Sequence, residues 1–215
     1  MTALKKPLFD HLKYALDRLA TSDEALAHKI TSYGYPRDRF MPAGFNSLAR
    51  IIIGQQISRQ VASHIWQKIE AKGWQDEHDF CHLTIEELKS CGLSTRKSEY
   101  LIGAASACVS GSLPLSSMHE LDEEKVSEHL VSLRGIGHWT ADNYRLFVLG
   151  HLDAWPGNDI ALQEAMKRLR QLESRPSADD MNRLAADWAP YRGAGALMLW
   201  HIYAHEVRLA TPSEI

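Results

Sequence analysis

The sequence predicts an all-α fold, and three observations lead to this prediction. Apolar residues recur every three or four positions along most of the 215-residue chain, which is the spacing of amphipathic helices. No run of alternating apolar and polar residues, the pattern of a half-buried strand, stands out. We find no internal repeat of roughly 20 to 50 residues and no low-complexity linker. We therefore expect about nine or ten short helices around one core.

The elements follow in order along the chain. Leu12, Leu16 and Leu19 share one helical face, and Leu26, Ile30 and Tyr33 share the next. A long apolar segment spans 45–69 and is interrupted at Gly54. Thr84 and Glu87 have the spacing of a capping box, and Gly92 ends the helix that they begin. Further helices are predicted over residues 95–109, 122–133, 138–150, 160–172, 178–188 and 192–208.

The composition argues against a membrane protein and leaves a nucleic-acid partner open. No stretch approaches the roughly 18 apolar residues of a membrane span, and residues 1–14 lack the apolar run of a signal peptide. We therefore expect a cytoplasmic protein, associated with the nucleoid if it is bacterial. The formal net charge is -3, but basic residues outnumber acidic ones between 45 and 74. A field distributed in this way can still attract a phosphate backbone.

The segment most informative about chemistry covers residues 131–172. It opens with two predicted helices joined by Leu133-Arg134-Gly135-Ile136-Gly137. Two glycines around one aliphatic residue let the chain reverse tightly without Cβ clashes. The first amides of the next helix then lack partners and can bind a phosphate oxygen. Gly-Ile-Gly by itself is also consistent with an ordinary glycine at a helix end.

The order of residues after this turn resembles the helix-hairpin-helix superfamily of DNA glycosylases. The pattern of that superfamily is the hairpin, a loop rich in glycine and proline, and an aspartate at the start of the next helix. The matching residues here are Trp139-Thr140-Ala141, Leu149-Gly150, Asp153, Pro156 and Asp159. Residues 52–58 (IIGQQIS), 92–97 and 188–200 resemble the alkylpurine branch of the superfamily, the 3-methyladenine DNA glycosylase II type. The resemblance extends from about Pro42 onward.

The resemblance implies a two-lobed fold with a DNA-facing cleft between the lobes. We expect one lobe over residues 43–155, including the hairpin, and a second lobe that combines residues 1–42 with 156–215. The implied partner is double-stranded DNA that carries alkylated bases, bound by a monomer. The implied reaction is hydrolysis of the N-glycosidic bond, which leaves an abasic site.

Asp159 is the predicted catalytic carboxylate. It follows Pro156-Gly157-Asn158 and precedes an apolar-periodic helix, where an isolated aspartate is usually only an N-cap. The helix amides and dipole favour its charged form, which suits glycosidic cleavage because positive charge grows on the sugar. Whether Asp159 only stabilises that charge or also activates the attacking water stays open. Asp142, within a helix, and Asp153, in the loop, are less suitable.

Aromatic residues are the predicted base pocket. An alkylated purine is already cationic and leaves readily, so the enzyme chiefly has to hold the flipped base against aromatic faces. Trp139 and Trp200 match family positions in that pocket, although each is also consistent with the core. Asn143 stands where a bacterial relative has tyrosine, so a glycosylase for an oxidised, deaminated or mispaired base remains an alternative. Further candidates for the pocket or the core are Tyr144, Trp155 and Tyr191.

The resemblance also assigns contacts with DNA and with a cation. Gln56 matches the position whose side chain enters the gap left by the flipped base, with a loop hydrogen bond as the alternative. The DNA-binding positions in the hairpin are Gly135, Gly137 and Thr140. The main-chain carbonyls that match those binding a monovalent cation are Val131, Leu133 and Ile136.

Two absences favour a monofunctional enzyme that needs no cofactor for catalysis. Trp139 occupies the place of the Schiff-base lysine that bifunctional relatives use to cut the backbone. The next lysine after Asp159 is Lys167, about two helical turns or roughly 12 Å further on. The three cysteines, Cys81, Cys91 and Cys108, cannot form a four-cysteine iron-sulfur cluster. The other alternative is a non-catalytic DNA-binding module, which would need neither Asp159 nor the aromatic pocket.

Overall fold

The computed structural model describes residues 8–208, and within this range it contains twelve α-helices and no strand. They are, in chain order, α1 (Leu8–Ala20), α2 (Glu24–Tyr33), α3 (Phe45–Gly54), α4 (Arg59–Ala71), α5 (Glu77–Phe80), α6 (Ile85–Ser90), α7 (Thr95–Val109), α8 (Glu123–Val131), α9 (His138–Phe147), α10 (Ile160–Leu169), α11 (Ala178–Leu184) and α12 (Arg192–Tyr203). Met118–Glu120 and Ala186–Trp188 form 3-10 turns, and Ala204–Arg208 continues α12 as a π-turn. None of the helices between residues 8 and 208 is long and apolar enough to cross a bilayer.

The all-α prediction is confirmed, but the predicted number of helices is too low. The apolar segment 45–69 forms two helices, and the first ends at Gly54, where the sequence shows the interruption; the chain turns at Gln56, whose φ is +56°. Ser58 then caps α4 by accepting a hydrogen bond of 3.3 Å from the amide of Val61. The one-turn helix α5 was not predicted, and it begins where Asp76 accepts hydrogen bonds from two amides.

Capping side chains explain several other helix starts. The predicted capping box is present, since Thr84 Oγ1 accepts from the Glu87 amide and Glu87 Oε2 accepts from the Thr84 amide. A second box, formed by Ser177 and Asp180, begins α11. Such caps satisfy amides that have no partner inside the helix. The local sequence therefore determines where these helices start.

The chain folds into two compact units, and residues 41–149 form one of them. Its core is built around α3, where Leu48, Ile52 and Ile53 are fully buried. Phe45 on the same helix meets Phe80 edge-to-face at a ring separation of 5.0 Å. Burial of Phe80 explains why the short helix α5 forms at all, since an isolated single turn is unstable in water.

Residues 8–40 and 150–208 belong to the second unit. Its α12 is buried along most of its length, and the Trp188 ring lies so close to Gly195 that a Cβ there would be 2.4 Å from it. Asp23 accepts hydrogen bonds from Arg170 and from Trp188 Nε1. Burial raises the pKa of the Asp23 carboxyl, but the bonds from Arg170, the Leu26 amide and Trp188 outweigh it and lower the pKa overall.

The loop at residues 150–155 belongs to this second unit, although we expected it in the lobe that contains the hairpin. The Ala194 amide donates to the Leu152 carbonyl at 3.1 Å, and Arg192 donates to both oxygens of Asp153. These bonds attach the loop to the start of α12, which a sequence pattern does not reveal. The ends of the predicted second lobe, residues 1–7 and 209–215, lie outside the described residues.

Candidate active site

Asp159 is the N-cap of α10. Its Oδ1 accepts hydrogen bonds from the amides of Ala161 at 2.9 Å and Leu162 at 3.1 Å. The preceding loop is tight, because the Asp159 amide donates to the Pro156 carbonyl at 2.9 Å. Gly157 lies directly against the Trp155 indole, where an added Cβ would be 2.6 Å from Nε1. The capping geometry fixes the carboxylate at the positive end of a ten-residue helix.

Trp200 reaches the same carboxylate from the last turn of α12. Its indole Nε1 donates to Asp159 Oδ1 at 3.2 Å, so three donors converge on one oxygen. Trp200 is half-buried, although Leu199 before it is fully buried. The guanidinium of Arg39 lies over the indole ring, 5.5 Å from its centroid. The structure thus places an aromatic ring beside the predicted catalytic carboxylate.

The two carboxylates that the sequence makes less suitable are both paired with arginines. Asp153 binds Arg192 through Nε at 3.0 Å and NH2 at 2.6 Å. Asp142 lies 3.2 Å from Arg145 NH1. Each negative charge is therefore offset by a neighbouring arginine. This pairing is a second reason, besides their positions in a loop and within a helix, why Asp153 and Asp142 are less suitable than Asp159.

The hairpin turn between α8 and α9 needs its first glycine for a definite reason. Gly135 has φ +88°, and a Cβ there would lie 2.2 Å from the Tyr100 ring. Gly137 has ordinary φ and caps α9 without a side-chain hydrogen bond. None of the described atoms beyond its chain neighbours and its own helix lies within 4 Å of a Cβ added at Gly137. Gly137 and His138 are exposed, so the start of α9 is accessible from solvent, as a phosphate-binding helix end requires.

The carbonyls predicted to hold a monovalent cation lie at this turn. α8 ends at Val131, so the carbonyls that follow have no helical partner of the usual kind. The Leu133 carbonyl accepts a hydrogen bond from the Ile136 amide at 3.1 Å, which closes the turn. Neutral carbonyl oxygens are ligands that a hard monovalent cation can take, but the Leu133 oxygen already accepts a hydrogen bond, and the cation stays a prediction.

Thr140 and Asn143 both make hydrogen bonds inside their own unit. Thr140 is 2% exposed, and its hydroxyl accepts a hydrogen bond from Gln55 Nε2 at 2.9 Å. The Thr140 hydroxyl therefore points into its own unit, and the DNA contact of Thr140 stays a prediction. Asn143 is also buried, and its Nδ2 donates to the Trp139 carbonyl at 2.6 Å. That bond uses the amide within α9 rather than at an open pocket.

The remaining aromatic candidates separate by burial. Tyr144 is fully buried, its hydroxyl accepts from the Gly44 amide at 3.3 Å, and burial raises its pKa to about 12. It is therefore a core residue. Trp139 is half-buried against the core of residues 41–149. Trp155 packs edge-to-face on Trp188, and Tyr191 does the same on Tyr14, both within the second unit.

Gln56 lies exposed in the loop between α3 and α4, with its backbone in the left-handed region. Gln55 and Lys97 hold this loop; both lie in the family-like segments 52–58 and 92–97, but no role was predicted for either residue. Gln55 Nε2 donates to the Gly135 carbonyl at 3.0 Å, and Lys97 Nζ donates to the carbonyls of Ile53 and Gln55. These contacts join residues 42 to 85 positions apart, so no local pattern could have indicated them.

Comparisons with known proteins agree with this geometry. The model of the HhH-GPD superfamily of base excision DNA repair proteins matches residues 49–191. A Bacillus subtilis (strain 168) protein provisionally named a DNA-3-methyladenine glycosylase is 30% identical over 201 residues, which cover 89% of this chain and 69% of that protein.

Two solved structures are similar to the chain at a comparable level. One is the Schizosaccharomyces pombe 3-methyladenine DNA glycosylase in complex with abasic DNA, with a TM-score of 0.82 and 26% identity, covering 87% of this chain and 95% of that one. The other is the 3-methyladenine DNA glycosylase of Archaeoglobus fulgidus, with a TM-score of 0.77 and 27% identity, covering 94% of this chain and 71% of that one.

Proposed function

Because this chain belongs to the HhH-GPD superfamily of base excision DNA repair proteins, we propose that it is a DNA glycosylase for alkylated purines. Its substrates would be bases such as 3-methyladenine and 7-methylguanine in double-stranded DNA. The observation that carries the proposal is the Asp159 carboxylate, held by two helix amides and by the indole of Trp200. The 3-methyladenine glycosylases among its relatives support the choice of substrate class.

The fixed carboxylate suits the charge that develops during base release. As the glycosidic bond breaks, positive charge grows on the sugar. A carboxylate whose orientation is set beforehand stabilises this charge without having to reorganise during the reaction. The three donors on Oδ1 supply that orientation. Water then adds to the sugar carbon and leaves an abasic site.

Recognition of the base relies on its charge. A methylated purine such as 7-methylguanine is cationic, and a cation is attracted to the face of an indole. Arg39 lies over one face of the Trp200 indole, so the base would stack on the opposite face, next to Asp159. We assign Trp139 to base recognition on the family resemblance. Flipping the base out of the duplex is easiest for a damaged base, which adds to the selectivity.

The DNA contacts belong to the hairpin and the loop that follows α3. We assign a phosphate to the open N-terminus of α9 at Gly137 and the insertion into the duplex to Gln56. A monovalent cation bound by the carbonyls of Val131, Leu133 and Ile136 would add positive charge facing that phosphate. The protein would act as a monomer, and hydrolysis needs no other cofactor.

The central test replaces Asp159 with asparagine. Asparagine caps helices about as well as aspartate, so the fold should be kept while the charge is lost. A unit charge about 4 Å from the developing cation contributes roughly 4 kcal/mol at an effective dielectric constant of about 20. Release of methylated bases from methylated DNA should therefore fall about a thousandfold, with DNA affinity changed by no more than a few fold.

Asp76→Asn is the matched control, because Asp76 also caps a helix through the amides two and three residues ahead. It should leave base release unchanged. Near-normal turnover by Asp159→Asn would refute the assignment. In the same assay, borohydride should trap no adduct between the protein and abasic DNA, since Trp139 stands in the place of the lysine. A trapped adduct that persists after blocking the N-terminal amine would place the protein in the bifunctional class.

A further inference from the structure

The loop between α3 and α4 is held at two points by residues far away in sequence. α3 ends at Gly54, α4 begins at Arg59, and Gln56 lies near the middle of the connection. The residue before Gln56 has both its side chain and its carbonyl engaged by other elements of the same unit. All of these contacts lie within residues 41–149.

The first attachment joins the loop to the hairpin turn. Gln55 Nε2 donates to the Gly135 carbonyl at 3.0 Å and to Thr140 Oγ1 at 2.9 Å. Gly135 is itself fixed, because its left-handed backbone lies against the Tyr100 ring. Thr140 is buried in the first turn of α9. The side chain of Gln55 thus connects the loop to the two ends of the phosphate-binding turn.

The second attachment joins the loop to α7. Lys97 Nζ lies 2.7 Å from the Ile53 carbonyl and 2.5 Å from the Gln55 carbonyl. These carbonyls lie at the C-terminal end of α3. The last carbonyls of a helix have no N–H partner within the helix, and the helix dipole favours a cation beside them. Lys97 is half-buried, and this burial lowers the pKa of its ammonium group. Two hydrogen bonds from one nitrogen atom thus connect the loop to α7.

Gln56 adopts a conformation that its own chemistry does not favour. Its φ of +56° is in the left-handed region, which residues with a Cβ enter at a cost of about 1 kcal/mol or more. Such conformations persist where the surrounding structure determines them. Here the fixed carbonyl and the fixed side chain of Gln55 determine the direction in which the chain reaches Gln56. The exposed side chain of Gln56 is therefore presented in a set direction.

We propose that Gln55 and Lys97 are positioning residues that hold Gln56 at a fixed place relative to the hairpin turn. A phosphate bound at the turn would then determine where the Gln56 side chain enters the duplex. The side-chain carboxamide of Gln55 is the link between the turn and the inserted residue. The proposal rests on the proposed function, because it gives Gln56 its role in the damaged duplex.

The test is a double-mutant cycle of Gln55→Met and Gln56→Ala. Methionine keeps the length of Gln55 but removes both hydrogen bonds. Insertion is followed by the fluorescence of 2-aminopurine placed opposite an abasic-site analogue, and base release is measured in single turnovers on methylated DNA. Gln55→Met should reduce the 2-aminopurine signal and slow base release about tenfold, which corresponds to one or two hydrogen bonds. Lys97→Met should act in the same direction.

The decisive comparison is the effect of Gln55→Met when Gln56 is already alanine. If Gln55 acts through Gln56, the second substitution changes neither signal further, so the two effects are strongly non-additive. Additive effects, or a Gln56→Ala variant that inserts and releases bases normally, would overturn the proposal. Gln67→Met, at an exposed position of α4, is the matched control and should behave like the wild type.

Two further measures keep the outcome interpretable. If Gln55→Met does not fold, Thr140→Val removes one end of the same link with little change in shape and must show the same non-additivity. The insertion signal uses an abasic analogue and needs no chemistry. Failure of the proposed function would therefore appear as wild-type protein that releases no base, whereas failure of the positioning role appears as additivity in the fluorescence.

Discussion

Trp200 offers the sharpest test of base recognition, because one side chain serves two separable purposes in the structure. Its N–H bonds Asp159 at 3.2 Å, and its ring supplies a half-buried aromatic face. Trp200→Phe removes the N–H and keeps a face. Trp200→Leu removes both while filling much of the same space. The ratio of the two variants therefore isolates the contribution of the face.

The expected magnitudes follow from these contacts. A hydrogen bond to a charged acceptor contributes about 1.5–3 kcal/mol. Both variants lack the N–H that bonds Asp159, so both should release bases about tenfold or more slowly than the wild type. Stacking of a base on an aromatic ring contributes about 1–3 kcal/mol. Leucine should therefore lose a further factor of about ten to a hundred on cationic 7-methylguanine. On neutral hypoxanthine the difference between phenylalanine and leucine should be smaller, since a neutral ring gains less from the indole face.

The assay measures single-turnover excision of 7-methylguanine and of hypoxanthine by both variants, with thermal melts alongside. A selective loss with leucine on the cationic substrate, at unchanged melting temperature, agrees with a pocket role. Losses that are equal on both substrates and follow the melting temperature would refute it. Trp200 would then be a core residue, because large-to-small substitutions in a core lower stability and all activities together.

Two further predictions concern stability. Gly135→Ala should cost about 2–4 kcal/mol in unfolding free energy, because it combines a left-handed backbone with a clash against Tyr100. Gly137→Ala should change the unfolding free energy by no more than about 0.5 kcal/mol and weaken only DNA binding. Equal melting temperatures for the two variants would contradict the hairpin geometry. Asp23→Asn should cost about 2 kcal/mol at pH 7, below the range for a fully buried pair because Arg170 stays partly exposed. Since the pKa of Asp23 is lowered from its ordinary 3.8, its stabilisation is complete above that value and is lost as the pH falls through the folded-state pKa. Denaturant unfolding between pH 2 and 7 should show the two proteins converging at the acid end, and a constant difference would count against the ion pair.

The features predicted well from the sequence depend on residues that are close together along the chain. The Thr84–Glu87 capping box, the helix Thr95–Val109 and the aspartate before α10 each involve residues within about one turn of each other. Local hydrogen bonds and helical periodicity are enough to determine them. The turn at Gly135 was also predicted from local residues. The Tyr100 ring, which leaves no space for a Cβ at Gly135, could not be predicted from the sequence.

The features that escaped prediction depend on contacts between distant parts of the chain. Trp200 and Asp159 are 41 residues apart, and Gln55 and Gly135 are 80 apart. Thr140 was assigned to DNA because it follows the hairpin, but packing turns its hydroxyl inward to Gln55. The split of segment 45–69 at Gly54 was indicated by the sequence, and Ser58, the N-cap of α4, is the local signal for the start of the second helix.

The order in which the chain is synthesised matters for one ion pair. Asp23 binds Arg170, which lies 147 residues later, and also Trp188, so these contacts of the α1–α2 segment cannot form until the chain has been synthesised beyond Trp188. At about 5–20 residues per second, the wait between the two partners is roughly 7 to 30 seconds. The contiguous stretch 41–149 has all of its own helices available much sooner. During this interval the apolar face of α1, which carries Leu12, Leu16 and Leu19, is exposed and open to aggregation.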